Sequence, residues 1–168
     1  MQLIPLWDTN IKKSYHLHNQ FKKDENGFMN PAYQLDEESF KDYVQLRKNY
    51  SMSIGLPDGF VADTVFILED QGNYVGIFNL RHYLNDALKN GGGHIGYGIA
   101  PEYRGRHYAT KGLALLIQKG KDIIEEDEFY LSVFKNNTAS LNVQFNNHAI
   151  IDHEDDSHYY TRIKFTRK

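Results

Sequence analysis

The stretch that most constrains the fold is residues 91–117, G-G-G-H-I-G-Y-G-I-A-P-E-Y-R-G-R-H-Y-A-T-K-G-L-A-L-L-I, which opens with the period of a strand and closes with that of a helix. Ile95, Tyr97 and Ile99 alternate with Gly96, Gly98 and Ala100, the period of two expected when the faces of a strand meet different surroundings. Pro101 ends that strand. From Tyr108 onward, Ala109, Leu113 and Leu116 or Ile117 recur at helical spacing, so the chain turns a corner and lays a helix face against the strand it has left.

At such a corner the first helical turn presents backbone N–H groups that have no partner inside the helix, together with the positive end of the helix dipole. Gly105 lets the backbone approach an anion closely, Ala109 keeps the helix start slim, and Arg104 and Arg106 add charge beside the amide donors. Arg104, Gly105, Arg106, His107, Tyr108 and Ala109 therefore read as a seat for a pyrophosphate. The alternative for the same residues is an ordinary strand-to-helix connection with a basic start, because a glycine-bearing turn alone is a weak motif.

A chain of 168 residues suffices for one domain with a real core, and residues 1–168 are read as that single domain. Apolar residues make up 40% and charged residues 24%, a balance that excludes disordered and fibrous classes. Cysteine is absent, which excludes disulfides, thiolate metal sites and a cysteine nucleophile and fits a reducing cytoplasm. The start M-Q-L-I-P-L lacks the basic flank and long apolar region of a signal peptide, and the longest apolar run, residues 113–117, is too short to span a bilayer. The expectation is a cytoplasmic protein with no membrane partner. A formal charge of −3 and a pI near 6.2 argue against a nucleic-acid partner. Oligomeric state leaves no mark on the sequence, which permits a homodimer.

Around the corner, helix and strand signals alternate. Residues 2–6 read as an edge strand, after which Asp8 or Thr9 caps a helix carrying Ile11, Tyr15, His18 and Phe21 on one side. Residues 26–31 read as a loop, and Asp36, Glu37 and Glu38 open a second helix bearing Phe40, Tyr43 and Val44. Residues 51–60 form a loop, rich in turn residues, that can border an acceptor site. Residues 62–69 and 74–83 are strands joined by the hairpin signal Asp70-Gln71-Gly72-Asn73, and residues 84–90 lead into the organising strand. Beyond the helix, Glu125, Glu126 and Asp127 read as a solvated turn, residues 129–134 as a strand, Asn137 as the start of a further helix, and residues 149–152 with 158–164 as a hairpin. His16 and His18 point about 200° apart on a helix and read as surface or packing residues. His153, Asp155, Asp156 and His158 read as a solvated turn, so no metal is expected.

The segment P-E-Y-R-G-R-H-Y-A-T resembles the acyl-CoA binding motif of the GNAT superfamily of N-acyltransferases, R/Q-x-x-G-x-G/A after a strand. His107 stands where that motif has its central Gly. S-V-F-K-N-N-T-A-S-L-N-V resembles the family's second motif, in which the positions of Asn137 and Ser140 meet the pantetheine arm. G-H-I-G-Y-G-I is similar to the branch that includes ribosomal-protein N-terminal acetyltransferases, and N-L-R-H-Y-L-N with G-G-H-I-G-Y to a group of bacterial acetyltransferases. The resemblance runs from about Gly59 to the C-terminus. It implies an α/β GNAT fold, a mixed and mostly antiparallel central sheet flanked by helices and splayed between its fourth and fifth strands.

It also implies a reaction. Acetyl-CoA, the cosubstrate, lies with its pyrophosphate on residues 104–109 and its pantetheine along the organising strand, where Tyr97 and Ile99 contribute main-chain groups. A primary amine, of a small molecule or a peptide N-terminus, attacks the thioester directly in a ternary complex. His94 stands where relatives often carry Glu and is the expected general base; a histidine bonded to backbone is its other reading, with His82 or Glu102 acting through water. Gln144 stands where many relatives place a Tyr that protonates the leaving thiolate, and Tyr159 and Tyr160 are candidates for that proton. These departures at positions 107 and 144, and the glycines missing at His148 and Ala149, support an alternative: a GNAT-fold module that binds acyl-CoA with weak or no turnover.

Overall fold

The structure is a computed structural model that describes residues 1–167; Lys168, the last residue of the expected domain, lies outside the described residues. Strand β1 (Gln2–Pro5) leads through a 3₁₀ turn to helix α1 (Ile11–His18), a small hairpin of β2 (Asp24–Glu25) and β3 (Phe28–Met29), and helix α2 (Glu37–Ser51). Next come β4 (Asp63–Asp70), β5 (Asn73–Arg81), a single-turn α3 (Asp86–Lys89) and β6 (Ile95–Ile99). A second 3₁₀ turn (Pro101–Tyr103) precedes α4 (Tyr108–Gly120), β7 (Glu128–Phe134), α5 (Thr138–Phe145), β8 (Ile150–Glu154) and β9 (His158–Lys164).

β1, β4, β5 and β6 form one antiparallel sheet in the order β1-β4-β5-β6, and β7, β9 and β8 form a second in the order β7-β9-β8. Leaving the two-residue hairpin aside, β6 is the fourth strand and β7 the fifth, and the sheets part between them. Among the described residues they meet in one bridge, Gly93 to Leu131, beside which the His94 N–H donates to the Tyr130 carbonyl at 2.7 Å. Gly93 has φ +62, and a Cβ there would collide with the Tyr130 carbonyl, so only glycine lets the strands touch at this point.

The central strands are covered on both faces. Val65, Ile67 and Ile77 pack with Leu17, Phe21 and Phe40 beneath α1 and α2, while Phe66, Leu68, Phe78 and Leu80 pack with Leu113 and Leu116 of α4. β4 therefore shows an unbroken apolar run, Val65 to Leu68, in place of simple alternation. Burying Phe40 completely contributes about 2–3 kcal/mol toward holding α2 on this face.

Several local boundaries differ from the sequence reading. Asn10 caps α1, its Oδ1 accepting from the Lys13 N–H at 3.0 Å; Asp8 belongs to the 3₁₀ turn, and the Thr9 hydroxyl is taken up by the Leu6 carbonyl and Ser14. The helix ends at His18, so Phe21 reaches the core from beyond it. The loop expected over residues 26–31 contains β3, with Asn26 and Gly27 left-handed at the turn of the β2–β3 hairpin. The β4–β5 turn shortens to Gln71 and Gly72, at φ 50 and 83, the two-residue geometry that fits strand twist. Residues 84–90 contain α3, capped by Asn85. Among the described residues no helix is long and apolar enough to cross a membrane.

Candidate active site

Three features meet around the parting of β6 and β7. The first is the corner before α4. Gly105 and His107 are both left-handed, at φ 74 and 62, so His107 takes the backbone conformation that the motif's glycine would supply. Histidine is among the side chains seen in that region, at a modest steric cost. No side chain caps the first turn of α4, and residues 104–107 are exposed. Arg106 lies over the Tyr103 ring, 5.8 Å from its centroid. Arg104 points back instead: its Nε donates to the Ile99 carbonyl at 2.9 Å and its Nη2 to Glu25 at 2.6 Å, fastening the corner to β6 and the small hairpin. The Tyr108 hydroxyl donates to Asp70 at 2.9 Å, and Ala109 is half-buried against the core.

The second feature is the gap itself. The Ala100 N–H bonds to the Val75 carbonyl, so by strand alternation the main-chain groups of Tyr97 and Ile99 face away from β5, toward β7. Across the gap the Tyr97 hydroxyl lies 2.7 Å from Ser140 Oγ, bringing together two residues that the sequence placed beside pantetheine. Burial pushes the Tyr97 phenol up to about 12, with the Ser140 hydrogen bond opposing. Asn137 caps α5 by accepting from the Ser140 N–H at 3.2 Å, one of the two roles read from its sequence. Gln144 is buried and accepts from Thr161 at 2.7 Å. Tyr160 donates to Asp155, and Tyr159 lies under Lys135.

His94 sits at the bridge and is fully buried. Its Nδ1 accepts from the Tyr130 N–H at 3.0 Å, and its Nε2 lies 2.9 Å from Glu126. A backbone N–H can only donate, so Nδ1 is unprotonated and Nε2–H donates to the carboxylate. Burial lowers the imidazole pKa against the opposing pull of Glu126. Burial raises the Glu126 carboxyl, but bonds from His94 and the Leu84 N–H outweigh it, leaving the group below its ordinary range. The ring thus has both nitrogens engaged within the protein, the geometry of the backbone-bonded reading. Glu126, expected in a solvated turn, is instead the second half of this junction. Of the other candidates, His82 Nε2 lies 2.8 Å from Thr64 Oγ1, and Glu102 is exposed in the 3₁₀ turn.

The third feature was signalled in the sequence only by the loop over residues 51–60. A cavity of about 400 Å³ lies on the α1–α2 face of the first sheet, its floor including Asn79 and Gly96, which are paired across β5 and β6 beside the gap. Gly59 and Phe60, from the loop expected to border an acceptor, form part of its wall. Its polar lining includes His18, Arg47, Asp63, Asn79 and Arg81, beside Asn30, Tyr43 and Asn85. Arg47 and Asp63 form an ion pair with each side chain nine-tenths buried. Arg81 donates from Nη1 to the Gly93 carbonyl at 2.7 Å, tying the cavity to the bridge. Four buried atoms here, His18 Nε2, Arg47 Nε, Asp63 Oδ1 and Asn79 Oδ1, have no hydrogen-bond partner among the described residues. Burial lowers the His18 imidazole to about 4, despite its bond to the Ser14 carbonyl, and raises the Tyr43 phenol to about 12. No local motif could have revealed this group, because its members come from α1, α2, β4 and β5 and share no spacing.

The acidic C-terminal turn lies away from this cavity. Asp155 accepts from the N–H groups of Ser157 and His158 and from the Tyr160 hydroxyl, which hold its carboxyl well below the usual range. His153 stacks on Tyr160 and bonds Asp152.

Residues 13–148 match the family model of the acetyltransferase (GNAT) domain. Among solved structures, the chain resembles Campylobacter jejuni N-acetyltransferase PseH in complex with acetyl coenzyme A, with a TM-score of 0.66 at 15% identity over 98% of this chain and 99% of that one. It resembles Mycobacterium smegmatis RimJ in complex with CoA-disulfide, with a TM-score of 0.68 at 18% identity over 96% and 80% of the two chains. The spermidine N-acetyltransferase of Vibrio cholerae, in complex with CoA and spermine, gives 0.64 at 16% identity over 97% and 94%. No curated protein sequence matches the chain. At these identities the structural likeness is one of fold.

Proposed function

The chain belongs to the acetyltransferase (GNAT) family, and from that premise we propose that it is an N-acetyltransferase, a single cytoplasmic domain that moves the acetyl group of acetyl-CoA to a primary amine. The observation that carries this reading is the gap between β6 and β7, with the main-chain groups of Tyr97 and Ile99 facing it and the uncapped start of α4 at its end. The pyrophosphate rests on the amides following Gly105, with His107 keeping the turn left-handed and Arg106 adding charge. Pantetheine runs along β6 as an added strand, beside the Tyr97–Ser140 contact that crosses the gap. Arg104 shapes the corner through Ile99 and Glu25.

The amine enters from the cavity whose floor includes Gly96. Its neutral nitrogen attacks the thioester carbonyl carbon; the N–C bond forms, the C–S bond breaks, and the sulfur leaves with the electron pair. The proton shed by nitrogen ends on that sulfur. Holding amine and thioester in contact contributes most of the acceleration, worth about 7–11 kcal/mol in well-oriented intramolecular models. His94 serves as a positioning residue, its two bonds setting where the sheets part.

Gln144, buried and bonded to Thr161, supports a second reading, a module that holds acyl-CoA without turning it over. Incubation with acetyl-CoA, a panel of amines and a thiol reporter separates the two. Amine-dependent CoA release with an acetylated product by mass spectrometry is the expected result. Saturable acetyl-CoA binding with no release would favour the module, and no binding would remove both.

A further inference from the structure

The cavity beside the gap also carries information about the acceptor, and the inference drawn from it rests on the acetyltransferase reading. His18 Nδ1 lies 2.8 Å from the Ser14 carbonyl; a carbonyl only accepts, so Nδ1 holds the ring proton and Nε2 presents a bare lone pair. Asp63 Oδ1 and Asn79 Oδ1 are acceptors as well, and Arg47 Nε is a donor. The unpartnered group is therefore three acceptors and one donor, in residues that all line one cavity. Buried polar atoms without partners cost free energy, and native interiors leave few of them. Several gathered in one cavity mark a site shaped for a ligand that brings the missing hydrogens.

Charge narrows the class further. The lining holds two guanidinium groups, Arg47 and Arg81, against the one carboxylate of Asp63. His18 adds no negative charge, and its depressed pKa keeps it neutral near pH 7. A ligand with a second or third ammonium group would meet this net cationic lining at close range. Hydroxyl groups meet neither difficulty, since each supplies a hydrogen to a bare acceptor and an oxygen to Arg47 Nε. The cavity, about 400 Å³, is at the small end of ligand pockets.

We infer that the acceptor is a compact, hydroxyl-bearing primary amine with a single ammonium group, recognised by His18 Nε2, Asp63 Oδ1, Asn79 Oδ1 and Arg47 Nε. Asp63 and Asn79 take hydrogens from the amine or its neighbouring hydroxyl, close to Gly96, and His18 takes one from deeper in the cavity. Polyamines are the excluded class.

The test compares CoA release from acetyl-CoA with two sets of amines, ethanolamine, serinol and glucosamine in one, putrescine and spermidine in the other. The expected result is a kcat/KM at least about tenfold higher for the best hydroxylated monoamine than for the best polyamine. Asn79→Leu removes an unpartnered carboxamide oxygen while nearly keeping its volume. It should raise KM for the hydroxylated amine about tenfold, leave acetyl-CoA affinity unchanged and not lower the thermal midpoint. Polyamines equal to or better than the monoamines, or an unchanged KM in Asn79→Leu, overturn the inference while the acetyltransferase reading stands. No release from either set, with acetyl-CoA bound, overturns both.

Discussion

On the proposed function, the corner before α4 and the cavity under α1 and α2 solve opposite recognition problems. The corner is exposed and made of main chain, its useful groups being the amides of one short segment. The cavity is recessed and made largely of side chains, its charged and unpartnered ones drawn from α1, α2, β4 and β5, with an ion pair in its lining. Main-chain recognition depends on backbone shape, so it tolerates His107 in a glycine's place so long as φ stays positive. Side-chain recognition depends on each residue's identity and on its neighbours' positions. A coenzyme common to a family suits the first kind of site, and an acceptor that varies suits the second.

Substitutions should divide along the same line. The largest effect is expected from Asp63→Ala, which leaves the Arg47 charge buried without its partner. A loss of about 3–5 kcal/mol in urea unfolding is expected, and a loss below about 1 kcal/mol would break the contrast between the two regions. Next is acid sensitivity at His18. Its folded pKa, about 4, lies below the ordinary 6.5, so its contribution is complete above pH 6.5 and is lost as pH falls toward 4. The difference in stability between these limits is about 3 kcal/mol. His82 and His94, also lowered by burial, act with the same sign. His18→Gln should therefore remove about 3 kcal/mol of the acid dependence and leave a remainder, measured by unfolding at a series of pH values.

On the corner side the effects are smaller and appear in binding. Arg106→Ala should weaken CoA about tenfold by calorimetry, about 1.4 kcal/mol, with unfolding unchanged. The smallest is Glu25→Ala, which frees Arg104 from a half-exposed pair and should cost about 0.5 kcal/mol of stability. A cost near that of Asp63→Ala would show that the corner, too, is built on a charge.

Much of the fold was legible because it is written locally. The Ile95–Tyr97–Ile99 alternation, the stop at Pro101, the start of α2 at Asp36 and the hairpin turn, tightened to Gln71 and Gly72, each depend on residues adjacent in sequence. The corner was legible for the same reason. Asn10 was missed as a cap because Asp8, Thr9 and Asn10 are all capable of capping, and the choice falls to the 3₁₀ turn that consumes the first two. Glu126 was missed because its partner, His94, lies thirty-two positions away. Of the cavity only one wall was legible, the loop over residues 51–60; its charged group was missed, since Arg47 and Asp63 look like ordinary surface charges until α2 is packed on β4.

The junction at Gly93 has one more consequence. Among the described residues the two sheets share one bridge and no ladder, so beyond it they are held together chiefly by side chains, Phe129 and Leu131 packed with Leu80 and Ile95. Parting the edges beyond the bridge costs side-chain contacts but no backbone ladder, while at the bridge the close approach of Gly93 to the Tyr130 carbonyl leaves no room for a side chain.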